Sequence, residues 1–460
     1  METGNPYVQY MYSYPHKTAY RTLHEVQIKD YVSCFDGQEN SLYFHIPFCQ
    51  YKCGYCNLFS LAGQSETLME EYVRAMERQA EQIRQALPPR TYFSDLTLGG
   101  GTPLILPEYL LERVFRMAEE KFGFCPDGRS VIVETSPNQT TLSKLRLLKT
   151  YGTTRVSIGV QSFQEKELRA LSRFHSPAAA NRALELIRQV GFSRVNIDLI
   201  YGIPGQTRES LADSLRQALS YMPEELFIYP LYVKPGTGLD RRFREDMETG
   251  GSFDGSGTGT ESASDRKICR ARRTYELYLF IREELRARGY ESRSMRRFVR
   301  ADAGKQVEEE APLCGFGNTL SIGCGGRSYL GNLHLCTPYA VGQSRCLEQV
   351  RRYIKMTDFT RADHGFLLNE EEQKRRYVIK HIFCSAGLSQ DDYTMRFGTS
   401  AEKDFPLIQK WAREKYAIIE KNRICLTETG MSLSDCLGPQ LISPQVRERM
   451  KEWKEENETT

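Results

Sequence analysis

An excess of charge of one sign is missing from this sequence: 62 Lys and Arg stand against 59 Asp and Glu in 460 residues, a formal net charge of +3. That near-balance gives no case for nucleic acid or an anionic membrane as the main partner. Also missing is any apolar run long enough to span a bilayer, so membrane insertion is not expected. The opening residues, METGNPYVQYMYSYPHKTAYR, are polar and tyrosine-rich. They lack the basic-then-apolar order of a secretory leader, which makes the cytoplasm the expected compartment. There is no repeat of solenoid period. What remains is an ordinary globular composition, 40% hydrophobic and 26% charged, and a chain long enough for two or three domains.

The residue in surplus is cysteine, with 13 copies. An odd number without a leader argues against a disulfide framework. In a reducing compartment closely spaced thiols more often bind metal, and isolated ones are small buried apolar residues.

Six short β-rich runs mark the first half: Leu42–Ile46, Asp95–Leu98, Ser130–Glu134, Arg155–Ile158, Val195–Leu199 and Leu226–Leu231. Between several of them lie helical patterns. Met69, Tyr72, Val73, Met76, Ala80, Ile83 and Leu87 recur at three- and four-residue steps, and Pro88-Pro89 stops that helix. Ala178–Val190 forms a second helix with Gly191 at its C-cap, and Glu209–Ser220 a third. Strand and helix in alternation predict an α/β fold, either a parallel sheet or an open (β/α)6 barrel, with its chemistry at the C-terminal strand ends. Residues 1–38 read as an N-terminal arm and 39–245 as the core. A Gly/Ser-rich insertion or linker follows over 246–266, including Glu248–Ser264. A connecting region covers 267–365, with a charged helix at Arg266–Arg288 and a glycine-rich loop or turn at Gly315–Gly331. Residues 366–460 read as helical, with Ile418–Thr429 suiting a small β-wing and Arg447–Thr460 a solvated helix.

The segment HIPFCQYKCGYCNLF places Cys49, Cys53 and Cys56 at x3-x2 spacing just after the first strand. Three thiolates on one short loop can hold three irons of a [4Fe–4S] cube and leave the fourth iron open. S-adenosylmethionine (SAM) can chelate that iron, and an electron from the cluster then breaks a C–S bond to give a 5′-deoxyadenosyl radical. The competing reading is zinc, which wants four N or S ligands in a tetrahedron. His45, four residues back on a strand, is poorly placed to complete one. It could instead be a proton donor beside the triad or a histidine bonded within the fold.

Further candidates sit at successive strand ends. Gly99-Gly100-Gly101-Thr102 closes the second strand, where backbone N–H groups could receive the methionyl carboxylate of SAM. Glu134 ends the third strand and Gln161 the fourth, with Arg173 twelve residues on. Asp198 interrupts the apolar run Val195–Ile200, which is costly unless it is paired.

These stretches, YFHIPFCQYKCGYC, GGGTP, VETSP, SIGVQSF, LSRFH and NIDLIYGIPGQT, resemble the radical SAM oxygen-independent coproporphyrinogen III oxidase-like family, including its haem-chaperone relatives. The resemblance implies a partial (β/α)6 TIM-like radical SAM barrel with a mainly helical C-terminal domain, which the small β-wing read at Ile418–Thr429 could make winged-helix-like. It implies that Cys49, Cys53 and Cys56 bind the cluster, and that Tyr43, Gly100 and Glu134 contact its SAM. Tyr55, Gly101, Thr102, Gln161, Arg173, Asp198 and Tyr232 match positions that contact a second SAM in the oxidase. No catalytic residue is assigned beyond the cluster. One departure stands out: the oxidase has a further cysteine two residues after the third, where this chain has Leu58. The implied partners are SAM, a tetrapyrrole-like small molecule and an electron donor such as flavodoxin or ferredoxin. The expected function is radical chemistry on that substrate; the alternatives are a haem chaperone or carrier and a radical SAM tetrapyrrole methyltransferase.

Other features have blander readings. Cys314, Cys324, Cys336 and Cys346 are spaced too irregularly to argue strongly for a second cluster. His334 and His364, read as loop residues, could ligate haem iron. Tyr7, Tyr10, Tyr12 and Tyr14 could cover a flat tetrapyrrole or pin an arm to a core. Arg296, Arg297 and Arg300 could pair with propionates or form a solvated basic face.

Overall fold

A computed structural model describes residues 6–249, 263–303 and 317–458. Most of the Gly/Ser-rich insertion, and Cys314, lie outside these residues. The chain divides into two compact units.

The larger unit comprises Arg21–Glu261 and Lys305–Phe366. Its centre is a run of parallel strands: β1 (Glu39–Ile46), β2 (Tyr92–Gly100), β3 (Ser130–Thr135), β4 (Arg155–Gln161), β5 (Arg194–Tyr201) and β6 (Glu225–Pro230), paired in that order. Each follows one of the apolar runs seen in the sequence. Their side chains alternate between two faces, with register shifts at Asn40/Ser41 and Gly159/Gln161. One face carries Leu42, Phe44, Ile46, Leu96, Leu98, Val131, Val133, Val156, Ile158, Val195 and Ile197, all at most 1% exposed. That is the layer the helices cover, and the other face turns to the barrel interior.

The connecting helices begin and end where local chemistry predicts. Helix α1 (Glu66–Ala86) starts at Ser65, whose hydroxyl accepts from the Leu68 N–H, and buries Met69, Tyr72, Val73, Met76, Ala80 and Ile83. Each large apolar side chain buried this way contributes about 1.5–3 kcal/mol. Helices α2 (Glu108–Phe122) and α3 (Leu142–Thr150) follow, then α4 (Glu165–Ala170) and α5 (Pro177–Val190). Helix α5 is capped by Ser176 and closed by left-handed Gly191 at φ 73°. Helix α6 (Arg208–Ser220) opens with a reciprocal capping box of Thr207 and Ser210.

Two expectations are corrected here. The glycine-rich stretch 315–331 is more than a loop: Asn318–Ile322 is a strand that pairs parallel to β1, and Arg327–Leu330 turns back against Leu333–Cys336. His334 and His364 are therefore strand residues, on Leu333–Cys336 and Arg361–Leu367. His334 is fully buried edge-on to Tyr329, and a His364 ring nitrogen bonds the Cys336 carbonyl at 2.8 Å. Cys324, Cys336 and Cys346 are each buried, with Thr337, the Gly325 carbonyl and the Ala340 carbonyl as their respective partners.

The smaller unit gathers Met1–Tyr20, Ser262–Gly304 and Leu367–Thr460. It holds helices Ala263–Ala287, Glu370–Ile382 and Pro444–Glu458, among others, and a small sheet of Leu388–Ser389, Arg423–Leu426 and Ala417–Ile419. The last two strands form an antiparallel wing followed by helix Glu428–Ser432. The tyrosine arm belongs to this core. Tyr14, 1% exposed, bonds Glu372, and Ser443 ties to both. Arg296 is no part of a solvated face: it pairs with buried Asp435 and lies 3.8 Å from the Tyr10 ring centroid.

Candidate functional site

The cysteine loop leaves the C-terminal end of β1. Cys49 closes the short strand Phe48–Cys49, which pairs with Leu61–Ala62 and so staples the loop shut. Lys52 reinforces it, donating to the Leu58 and Ser60 carbonyls at 2.9 and 3.1 Å. The Gly54 N–H bonds the Leu171 carbonyl at 2.9 Å, which docks the loop on the segment after α4.

Each thiol meets a different neighbour. Cys49 Sγ lies 3.8 Å from Thr102 Oγ1, Cys56 Sγ lies 3.8 Å from Ser60 Oγ, and Cys53 Sγ accepts from Arg173 Nη1 at 3.1 Å. Burial, with Cys56 and Cys53 adding to it, pushes the Cys49 thiol up to about 12. Iron's positive charge would reverse that, so metal loading here is coupled to proton release. Among the described residues, no three His, Cys, Asp or Glu side chains converge as ligands of a single ion. Zinc needs such convergence; three thiolates binding three irons of a cube do not.

The glycine run departs from its expected role. Gly100 N–H donates to Glu134 Oε2 at 3.2 Å, Gly101 N–H to the Ile46 carbonyl and Thr102 N–H to the Phe48 carbonyl, both at 2.8 Å. Those donors are occupied within the protein. What the glycines provide is closeness. A Cβ on Gly100 (φ 118°) would meet the His45 ring at 2.7 Å, and one on Gly101 would meet the Phe48 carbonyl oxygen at 2.5 Å. His45 is 5% exposed, with Nε2 3.2 Å from the Phe59 carbonyl and Nδ1 3.3 Å from the Tyr43 hydroxyl. A carbonyl only accepts, so Nε2 carries the proton and Nδ1 accepts from Tyr43. His45 is bonded within the fold.

The interior face collects polar residues across neighbouring strands. Tyr43 stands opposite Thr97, Ser157 opposite both Glu134 and Asn196, and Asp198 opposite Gly159. Asn196 Nδ2 donates to Ser157 Oγ and to Asp198 Oδ1, both at 2.7 Å. Thr97 Oγ1, Asn196 Oδ1 and Arg173 Nε are buried without a hydrogen-bond partner. Such an atom costs about 1–3 kcal/mol if nothing binds it, so each of the three suits contact with a polar ligand. Gln161 sits in the left-handed region at φ 72°, where β4 slips register against β5. A bulge of this kind re-aims a side chain at a strand end. Tyr55 packs on Leu171, Ile200, Ile203 and Leu239, and burial with nearby Cys53 raises its hydroxyl pKa. Tyr232 follows β6 with Lys234 Nζ 5.0 Å from its ring centroid.

Burial, opposed by the Asn196 hydrogen bond and assisted by the charge of Glu134, pushes Asp198 up to about 7 from an ordinary 3.8. Its contribution to stability is present below 3.8 and is lost as pH rises through about 7. Asp198→Asn should therefore raise the unfolding temperature of metal-free protein at pH 8, by up to about 4 kcal/mol of stability. It should change little at pH 4. An equal effect at both pH values in thermal melts would contradict the assignment.

Thr97, Arg155, Ser157, Asn196 and Glu225 escaped the sequence reading. The available signal was period-two alternation: in RVSIGVQ and RVNIDLIY every second position is apolar, and the intervening ones face inward.

The comparisons with known proteins agree with this picture. Residues 43–218 match the family model described as the radical SAM superfamily. The haem chaperone HemW of Bacillus subtilis is 27% identical over 403 residues, covering 86% of this chain and 97% of that one. The oxygen-independent coproporphyrinogen III oxidase of Escherichia coli is 25% identical over 449 residues, with 92% of each chain covered. Among solved structures, the fold of coproporphyrinogen III oxidase (HemN) from Escherichia coli superimposes with a TM-score of 0.77 at 22% identity, covering 94% of this chain and 96% of the other. The chain thus carries a radical SAM domain, and the resemblance seen in its motifs stands. The partial (β/α)6 barrel with a mainly helical C-terminal region stands with it. Among the described residues no helix is long and apolar enough to cross a membrane.

Proposed function

We propose, for a chain with a radical SAM domain over residues 43–218, that it cleaves SAM reductively and directs the resulting radical at a tetrapyrrole-like substrate. The observation that carries this reading is the stapled three-thiol loop at the end of β1, with Arg173 donating to one of its thiols. A [4Fe–4S] cluster held by Cys49, Cys53 and Cys56 supplies the electron for SAM cleavage. The chain's own residues bind and orient. Glu134, already fixed by the Gly100 N–H, has its second oxygen for the SAM amino group or a ribose hydroxyl. Tyr43 is held by His45, and Gly100 and Gly101 let the His45 ring and the Phe48 carbonyl close against the strand end that carries the site. Tyr55, Thr102, Gln161, Arg173, Asp198 and Tyr232 line the remainder. A one-electron donor such as flavodoxin or ferredoxin completes the cycle in the cytoplasm.

A second reading, a haem carrier of the same family, is favoured by Leu58. It stands where the oxidase has its further cysteine, and it is 48% exposed. One experiment separates the two. Anaerobically reconstituted, reduced protein should release 5′-deoxyadenosine at least tenfold faster with coproporphyrinogen III than without it. A carrier should instead show stoichiometric haem absorbance and no stimulation. Failure of both ligands would remove the tetrapyrrole and leave the radical SAM assignment.

A further inference from the structure

One of the positions assigned to SAM also makes a contact of another kind, a side-chain hydrogen bond to a cluster thiol. Arg173 follows α4 through Ser172, which adopts φ 51°, and its own N–H bonds the Leu168 carbonyl at 2.8 Å. This segment is also where the cysteine loop docks, through Gly54 N–H to Leu171. A Cβ on Gly54 would touch Ser172 Oγ at 3.0 Å, so loop and segment are in close register. The guanidinium is held from two sides: Nη2 donates to the Gly159 carbonyl at the β4 bulge, and Nη1 to Cys53 Sγ at 3.1 Å.

Among the described residues, the charges around it leave that contact unshared. Asp198 is bonded by Asn196, and Lys52 is occupied in closing its own loop. His175, 4% exposed, is pushed down to about 3 by burial and by Arg173, and so carries no charge. A half-buried guanidinium is thus the cation that donates to this cluster thiol.

We infer that Arg173 is a positioning residue that sets the reduction potential of the cluster, through a charged N–H···S hydrogen bond to Cys53. The inference rests on the cluster reading above. One electron, from dithionite in the test or a small electron-transfer protein in the cell, takes the cube from its 2+ to its 1+ state. With three thiolates the net charge falls from −1 to −2. A fixed cationic donor on one sulfur stabilises the more negative state and raises the potential, since hydrogen bonds to sulfur, net charge and solvent exposure are the protein's levers here. The fork geometry matters as well as the charge, because lysine cannot reach sulfur and carbonyl in the same way.

The test is an EPR-monitored redox titration of full-length, anaerobically reconstituted wild type, Arg173→Gln and Arg173→Lys, with iron and sulfide measured on each. Arg173→Gln should keep its cluster and shift the reduction equilibrium about tenfold toward the oxidised state, about 59 mV for one electron. Arg173→Lys should fall between it and wild type. A loaded Arg173→Gln with an unchanged midpoint overturns the inference. So does cluster loss in both variants, which would make the role purely structural. If only Arg173→Gln loses its cluster, an unshifted Arg173→Lys overturns it and a lowered one supports it. Failure of wild type to bind a cluster sinks the underlying reading instead.

Discussion

Glu225→Ala should unfold the larger unit under mild denaturant, at a cost of about 3–5 kcal/mol. Glu225 is the first residue of β6, and its side chain is 1% exposed. Its Oε2 takes Arg155 at 2.8 Å, and its Oε1 takes Arg194 at 3.5 Å. Those arginines are the first residues of β4 and β5, with side chains 12% and 7% exposed. Removing the carboxylate leaves two buried cations facing each other, which is far worse than never having buried them. The linkage lies at the N-terminal ends of the strands, the end of such a barrel that serves stability and not chemistry. Urea unfolding of metal-free protein measures it directly. A loss below about 1 kcal/mol would mean the pair is solvated and worth little.

Gly101→Ala is the second large effect, and it separates binding from folding. The added methyl would lie 2.5 Å from the Phe48 carbonyl oxygen and 2.9 Å from Pro47 backbone atoms. Those are main-chain atoms one and two residues before Cys49, so no rotamer change can make room. The strand end must shift, and it carries both the cysteine loop and the Thr102 hydroxyl beside Cys49. The variant should fold, with stability reduced by about 1–3 kcal/mol. It should retain less than a tenth of the wild-type SAM binding and cleavage. Calorimetric SAM titration of reconstituted protein checks this; unimpaired binding would show that the glycine is only a turn.

How much of this was legible in the sequence differs by element, for physical reasons. The six parallel strands bury one apolar face along their length, so they read as short apolar-rich runs, and the breaks in that pattern mark the site: glycines, Glu134 and Gln161 toward the strand ends and Asp198 within its strand. Helix α5 was legible to the residue at its end because Gly191 has to be left-handed there. Strand Asn318–Ile322 was not, because glycines flank five residues whose pairing partner lies far away in the chain. The Glu225 linkage was hidden for a related reason. Three charged residues at three strand starts look like solvated strand ends until register brings them together. Arg296 misled in the same direction: its neighbour Asp435 is 139 residues away. The N–H groups of the glycine run read as free because strand pairing is invisible without coordinates.

The strand after the insertion has a consequence for how the protein is made. β1 is synthesised well before the strand that closes one of its edges, Asn318–Ile322, with Asn318 and Asn40 separated by 278 positions. At ordinary synthesis rates of about 5–20 residues per second, that edge stays open for roughly 15–55 seconds. An open, apolar strand edge is a template for intermolecular pairing. Until Asn318–Ile322 arrives, that edge is the part of the nascent chain most open to pairing with another copy.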